Sequence, residues 1–169
     1  MNYCGLDLCD VLNGEGFRIS LFSSGCNMQP KCKYCQNSKA WNFNYGQPFT
    51  KETKETILSE LSKPYISGLS LLGGETTDNL EDGMIIDLCK SAKEIYPQKT
   101  IWCWTGYLWE DLIQSKLHYD FFQYVNVLID GRFEFEKKNL NRAWANSSNQ
   151  RIINVQESLK QNKAILYCD

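Results

Sequence analysis

Apolar positions recur along the chain in two alternating rhythms. Phe17 to Ser23 (FRISLFS), Ile66 to Leu72 (ISGLSLL), Thr100 to Thr105 (TIWCWT) and Val125 to Ile129 (VNVLI) are short runs rich in β-branched and aromatic residues. They read as four strands. Between them the period lengthens. Thr50 can cap a helix over Lys51 to Ser62, with Ile57, Leu58 and Leu61 on one face and Pro64 beyond its end. Leu80 to Tyr96 has the clearest helical repeat, through Met84, Ile85, Leu88, Ala92 and Ile95, until Pro97 stops it. Leu108 to Leu117 reads as a further helix. Asp10 to Gly16 is turn-rich, Trp41 to Pro48 loop-like, and Arg132 to Asn141 a charged loop. Arg151 to Val155 and Ala164 to Tyr167 are strand-like, with a polar segment between them that can be helical.

Strands alternating with helices argue for a parallel sheet with helices on its outer side. A complete eight-fold barrel needs about 250 residues, and the chain has 169. The expected fold is therefore α/β, an incomplete, open-sided (β/α) barrel or a short α/β sheet, in one domain over residues 1–169. The ends of the four strands carry distinctive turns: a Cys-rich loop, then Gly73, Gly74 and Glu75, then Trp104 to Tyr107 (WTGY), then Asp130 to Arg132 (DGR). If the strands are parallel, all four turns share the rim where parallel sheets place their ligands.

Charge removes some classes of partner. The 18 basic and 20 acidic residues give a net charge of −2 with no long basic run, so nucleic acid is not expected. No segment reaches the ~18 apolar residues of a membrane span, and the N-terminus lacks an export pattern. The expectation is a soluble, cytoplasmic protein with no membrane partner, whose eight Cys stay reduced. Cys4, Cys9, Cys89, Cys103 and Cys168 read as ordinary small residues. A single His, His118, excludes most His-based chemistry and reads as a helix-end or surface residue.

The stretch Ser24 to Asn37 (SGCNMQPKCKYCQN) places Cys26, Cys32 and Cys35 in a C-x5-C-x2-C arrangement, interrupted by Pro30. Three thiolates in so short a loop can converge on one centre. An iron-sulfur cube takes four ligands, normally all Cys, so three local thiolates leave one iron open. An open position marks a catalytic metal centre. A zinc knuckle or a pair of disulfides is the alternative that the spacing allows. Gly73 and Gly74 let a ligand approach the main chain, and Glu75 beside them suits an ammonium group, although a plain strand-to-helix turn uses the same residues. Tyr34 can lie against a planar heterocycle or cover a cluster from water. Arg18, Arg132 and Arg151 can meet ligand carboxylates or hydroxyls. Trp102, Trp104, Trp109 and Trp144 are core by default.

Taken in order, DVLNGEGFRISLFSSGC, the Cys loop with Trp41 after it, LSLLGGE, IWCWTGY, LIDGRFE and SSNQRIINV (Ser147 to Val155) resemble the radical S-adenosylmethionine enzymes. Within these the resemblance is to the activating proteins of anaerobic (class III) ribonucleoside-triphosphate reductase. It covers nearly the whole chain. It implies that Cys26, Cys32 and Cys35 hold a [4Fe-4S] cluster, and that Tyr34, Cys35 and Gln36 form part of the S-adenosylmethionine contact. Gly73, Gly74 and Glu75 would then meet the methionyl end. It implies an activase that generates a 5′-deoxyadenosyl radical and installs a glycyl radical on the reductase, served by a low-potential electron donor such as flavodoxin. A radical enzyme acting on a small molecule, or a non-catalytic zinc-binding interaction module, would be the rivals. The chain departs from the family pattern in three places. The family spacing is C-x3-C-x2-C, so the first gap here is two residues longer, which the loop absorbs if Gln29 and Pro30 bulge outward. Gly73-Gly74-Glu75-Thr76 stands where the family has Gly-Gly-Asp-Pro, and Ala145-Asn146 where it has Arg-Gly.

Overall fold

The computed structural model describes residues 1–168. Their strands are β1 (Asn2–Asp10), β2 (Phe17–Ser23), β3 (Gln47–Pro48), β4 (Ile66–Gly73), β5 (Thr100–Trp104), β6 (Val127–Asp130) and β7 (Arg151–Asn154). The helices are α1 (Lys51–Leu61), α2 (Met84–Ile95), α3 (Trp109–Leu112), α4 (Lys116–Phe122) and α5 (Val155–Gln161). The strands form one seven-stranded sheet in the order β3-β1-β2-β4-β5-β6-β7. It is open, with β3 and β7 at its edges. β2, β4, β5 and β6 run parallel, so the turns after them do share one rim.

The sheet is mixed rather than parallel throughout. β1 pairs antiparallel with β2, and β7 antiparallel with β6. β1 escaped the sequence pattern because its register shifts between Tyr3 and Gly5 and again between Asp7 and Asp10. Such bulges turn Tyr3, Leu6 and Leu8 toward the same core, which period-2 alternation cannot do. Ala164 to Tyr167 forms no strand; it meets the sheet at a bridge between Ile153 and Leu166 and through the Tyr167 ring, which packs edge-on against Trp102 of β5. The segment before it is helical, as α5. The stretch from Leu108 to Leu117 divides into α3 and α4.

The two faces of the sheet differ as its strands alternate. Ile19, Leu21, Leu69, Leu71, Ile101, Cys103, Leu128 and Ile153 pack with helix residues such as Ile57, Leu61, Ile85, Leu88 and Phe121. The face of α2 is Ile85, Leu88, Cys89 and Ala92, while Met84 and Ile95 flank it and stay exposed. Thr50 caps α1 as the sequence predicts, in a reciprocal box with Thr53. The other face carries Trp102, Val127, Ile129 and Ile152 together with Arg18, which is fully buried. Arg18 donates to Ser70 Oγ at 2.7 Å, Leu69 O at 2.7 Å and Thr100 O at 3.0 Å, and lies 5.3 Å from the Trp102 ring. Burial lowers its pKa to about 10. Its role is to tie β2 to β4 and β5.

Leu71, on the helix-covered face of β4, is 1% exposed. Leu71→Ala is expected to cost about 3 kcal/mol of unfolding free energy, measured as a lower urea midpoint with an unchanged denaturant slope.

Candidate functional site

The Cys loop grows out of the β2–β4 ladder. Beyond the last paired residues, Gly74 N donates to Ser23 O at 2.8 Å and Glu75 N to Gly25 O at 2.7 Å. On its other side Gly25 N donates to Ala40 O at 2.7 Å and Cys26 N to Trp41 O at 3.2 Å. This close approach excludes a side chain at position 74. A Cβ there would stand 2.4 Å from Gly25 O and 2.7 Å from Ala40 O. Gly73 is held to glycine both by its φ of 116° and by the same close approach, since a Cβ there would stand 2.5 Å from Ser23 O.

Within the loop Met28 is buried, while Gln29 and Pro30 are exposed. The two extra residues therefore do bulge outward. The Lys31 ammonium donates to Cys26 O and lies 5.7 Å from the Trp41 ring. Cys35 N donates to Cys32 O at 3.2 Å, closing a tight turn. Tyr34, at the crest of that turn with φ 56°, is 65% exposed and packs on Phe135 with ring centroids 4.5 Å apart. Its ring thus stands at the outer edge of the loop rather than inside it.

Glu75 is buried. Its Oε1 accepts from Thr77 N at 3.1 Å and Thr77 Oγ1 at 2.7 Å, and its Oε2 from Gly106 N at 2.8 Å. Gly106 belongs to the WTGY turn after β5, so the second and third turns are joined through this carboxylate. No cationic side chain pairs with it among the described residues. Burial raises its pKa despite those three donors. A cation presented to Oε2 would relieve that cost.

The fourth turn reaches back to the first. Arg132 Nε donates to Met28 Sδ and Arg132 Nη2 to Gln29 O, both at 3.2 Å. Asp130 is consumed internally, accepting from Trp109 N at 2.9 Å and from Arg151 Nε at 2.9 Å, while Arg151 also grips Glu110. Because β7 is antiparallel, the residues that precede it lie on the same rim. There Asn149 Nδ2 donates to Arg132 O at 2.8 Å and Gln150 Nε2 to Gly131 O at 3.0 Å. Arg142 donates to the carbonyls of Ser147, Ser148 and Gln150, so this turn is braced although Ala145-Asn146 replaces Arg-Gly.

These elements enclose a cavity of about 530 Å³. Cys26, Cys32 and Cys35 line it, as do Gln36, Gly73, Gly74 and Glu75, whereas Tyr34 does not. Trp104 and Trp144 line it as well, rather than being wholly core, and the DVLNGEG turn adds Leu12 and Asn13. The sequence reads there as turn-rich, without indicating that the turn folds toward the rim. His118 lies away from the cavity lining, its ring Nε2 3.2 Å from Thr77 O. All eight cysteines are free thiols. Burial pushes the Cys26 thiol up, with Glu75 adding to the effect and the Met28 backbone N–H and Lys31 opposing it. Burial likewise raises Cys32, against which Arg132 and the Phe133 backbone N–H act. Among the described residues no three His, Cys, Asp or Glu side chains are grouped closely enough to hold one metal ion. What they offer instead is a set of soft thiol donors spread along one wall of a cavity within the usual ligand-site range of about 300–1,000 Å³.

The model of the 4Fe-4S single cluster domain family matches residues 12–153. The anaerobic ribonucleoside-triphosphate reductase-activating protein of Enterobacteria phage T4 is 42% identical over 154 residues, 90% of this chain and 93% of the relative. The chain belongs to this family of activating proteins. Proteins of the same name from Pasteurella multocida and Escherichia coli (strain K12) are 37% and 36% identical. In each case the match covers about nine-tenths of this chain and 96% of the relative. The family match includes the three cysteines, the Gly-Gly-Glu turn and the Arg132 turn.

Gly74→Ala is expected to destabilise the protein by about 2–3 kcal/mol, because backbone oxygens cannot yield as side chains do. Gly83→Ala meets no atom within 4 Å and only its φ of 72° opposes it, which costs about 1 kcal/mol. Chemical denaturation of the two variants side by side measures the difference.

Proposed function

We propose that this chain is the activating enzyme of an anaerobic ribonucleoside-triphosphate reductase, with Cys26, Cys32 and Cys35 holding a [4Fe-4S] cluster. S-adenosylmethionine fills the remainder of the cavity. Held by these three thiols and served by a low-potential donor such as flavodoxin, the cluster would supply the one electron for cleavage of the sulfonium's carbon–sulfur bond, and with it the 5′-deoxyadenosyl radical, released alongside methionine, that would take hydrogen from a glycine of the reductase. The single observation that carries this reading is the convergence of three thiols and an unpaired buried carboxylate on one cavity, in a chain of this family.

The residues have separable tasks. Glu75 receives the cofactor's ammonium group through Oε2, while Gly73 and Gly74 let the methionyl end lie against the main chain. Cys35 and Gln36 contact the cofactor from the opposite wall. Tyr34, outside the cavity lining, braces the Cys32–Cys35 turn through its stack on Phe135 rather than meeting the cofactor itself. Trp104 and Trp144 limit water in the cavity. We take the open sheet, with four parallel strands and helices on one face, as a partial barrel of the radical S-adenosylmethionine type, in a single domain. Its eight free thiols suit the reducing cytoplasm.

Protein reconstituted without oxygen and supplied with dithionite and S-adenosylmethionine is expected to release 5′-deoxyadenosine. Cys32→Ala should abolish that release, and undiminished turnover would remove Cys32 from the ligand set. Glu75→Gln keeps the shape and loses the charge, so the Kd for S-adenosylmethionine should rise about tenfold, equivalent to about 1.4 kcal/mol.

A further inference from the structure

The lengthened loop between Cys26 and Cys32 is not free to wander. Met28 is 4% exposed. Its methyl group lies against Gly106, where any Cβ would stand 2.3 Å from Met28 Cε. Its sulfur is 3.9 Å from Cys32 Sγ and accepts from Arg132 Nε at 3.2 Å. The same guanidinium donates to Gln29 O at 3.2 Å. A half-buried positive charge is thereby fixed beside the middle thiol of the loop, one thioether away. Its own main chain is fixed in turn, since Asn149 and Gln150 hold the carbonyls of Arg132 and Gly131. The exposed Lys33–Glu136 pair at 2.8 Å links the same two segments on their outer side.

The potential of a thiolate-held iron-sulfur cluster is set by net charge, hydrogen bonding to its sulfurs and exposure to solvent. A cation held in a partly dry site favours the reduced, more negative state and raises the potential. We propose that Arg132 is a positioning residue that tunes the reduction potential of the cluster through Cys32, and that the Met28 sulfur and the Gln29 carbonyl form the socket that holds it there. This rests on the assignment of Cys26, Cys32 and Cys35 as cluster ligands. Arg132 touches no reacting atom in this role. Its charge makes the entry of one electron from the donor easier without changing where that electron goes.

The test is a potentiometric titration of the cluster by electron paramagnetic resonance, with dithionite as reductant and no S-adenosylmethionine present. The signal reports the loaded fraction of each sample, so incomplete reconstitution does not distort the potential. Arg132→Gln, which keeps an amide donor and removes the charge, is expected to lower the equilibrium constant for reduction about tenfold, or about 59 mV for a one-electron couple. Arg132→Lys, which keeps the charge, should remain within about threefold of the parent protein. Glu136→Gln, which breaks only the outer ion pair, should do the same. A potential unchanged in Arg132→Gln overturns the proposal, as does an equal fall in Arg132→Gln and Arg132→Lys, which would assign the effect to shape rather than charge. Failure of the parent protein to take up any cluster would instead overturn the ligand assignment beneath it.

Discussion

Two backbone hydrogen bonds hold the site together: Gly74 N to Ser23 O and Glu75 N to Gly25 O. They carry the parallel ladder of β2 and β4 past the ends of the strands and into the loops. The cysteine loop and the buried carboxylate therefore cannot move independently. A loop with three half-buried thiols and little regular structure would otherwise be costly in conformational entropy to fix. Here its root is pinned on one side by β4 and on the other by the carbonyls of Ala40 and Trp41. The absence of a side chain at Gly74 is the condition for both contacts.

Around that root the remaining turns form a closed circuit. Glu75 joins the β4 turn to the β5 turn through Gly106, and Arg132 joins the β6 turn to the cysteine loop. The segment before β7 holds the β6 turn from behind through Asn149 and Gln150. The antiparallel edge strand thus contributes to the rim with the residues that precede it, where parallel strands contribute those that follow. This gives the SSNQR motif a scaffolding purpose beside the place of Gln150 in the cavity lining. Asp130 and Arg151 are spent on that scaffold as well, since each is satisfied within the protein.

Much of this was legible in the sequence, for reasons that can be named. The four central strands stand out as short runs rich in β-branched, aliphatic and aromatic residues even where Arg18, Ser20 and Ser70 interrupt them, and their turns are marked by glycine. The cysteine spacing and the Gly-Gly-Glu turn identified two walls of the cavity. β1 was hidden because its bulges move its apolar residues off period two. The direction of β7 was hidden because hydrophobic pattern carries no sign of strand polarity. Trp104 and Trp144 line the cavity although Trp102 beside them is core, a distinction made by tertiary position alone. Met28 and Arg132 are 104 positions apart, and nothing local in either segment announces that they meet.

The central claim is that Cys26, Cys32 and Cys35 would hold a cube of iron and sulfide with one iron left without a protein ligand, in the cavity that Glu75 also lines. The most direct measurement is the Mössbauer spectrum of protein reconstituted with iron-57, recorded before and after S-adenosylmethionine is added. About a quarter of the iron, the one site without a cysteine ligand, should change its isomer shift and quadrupole splitting. A spectrum in which no iron responds, or in which all the iron responds alike, would contradict the account.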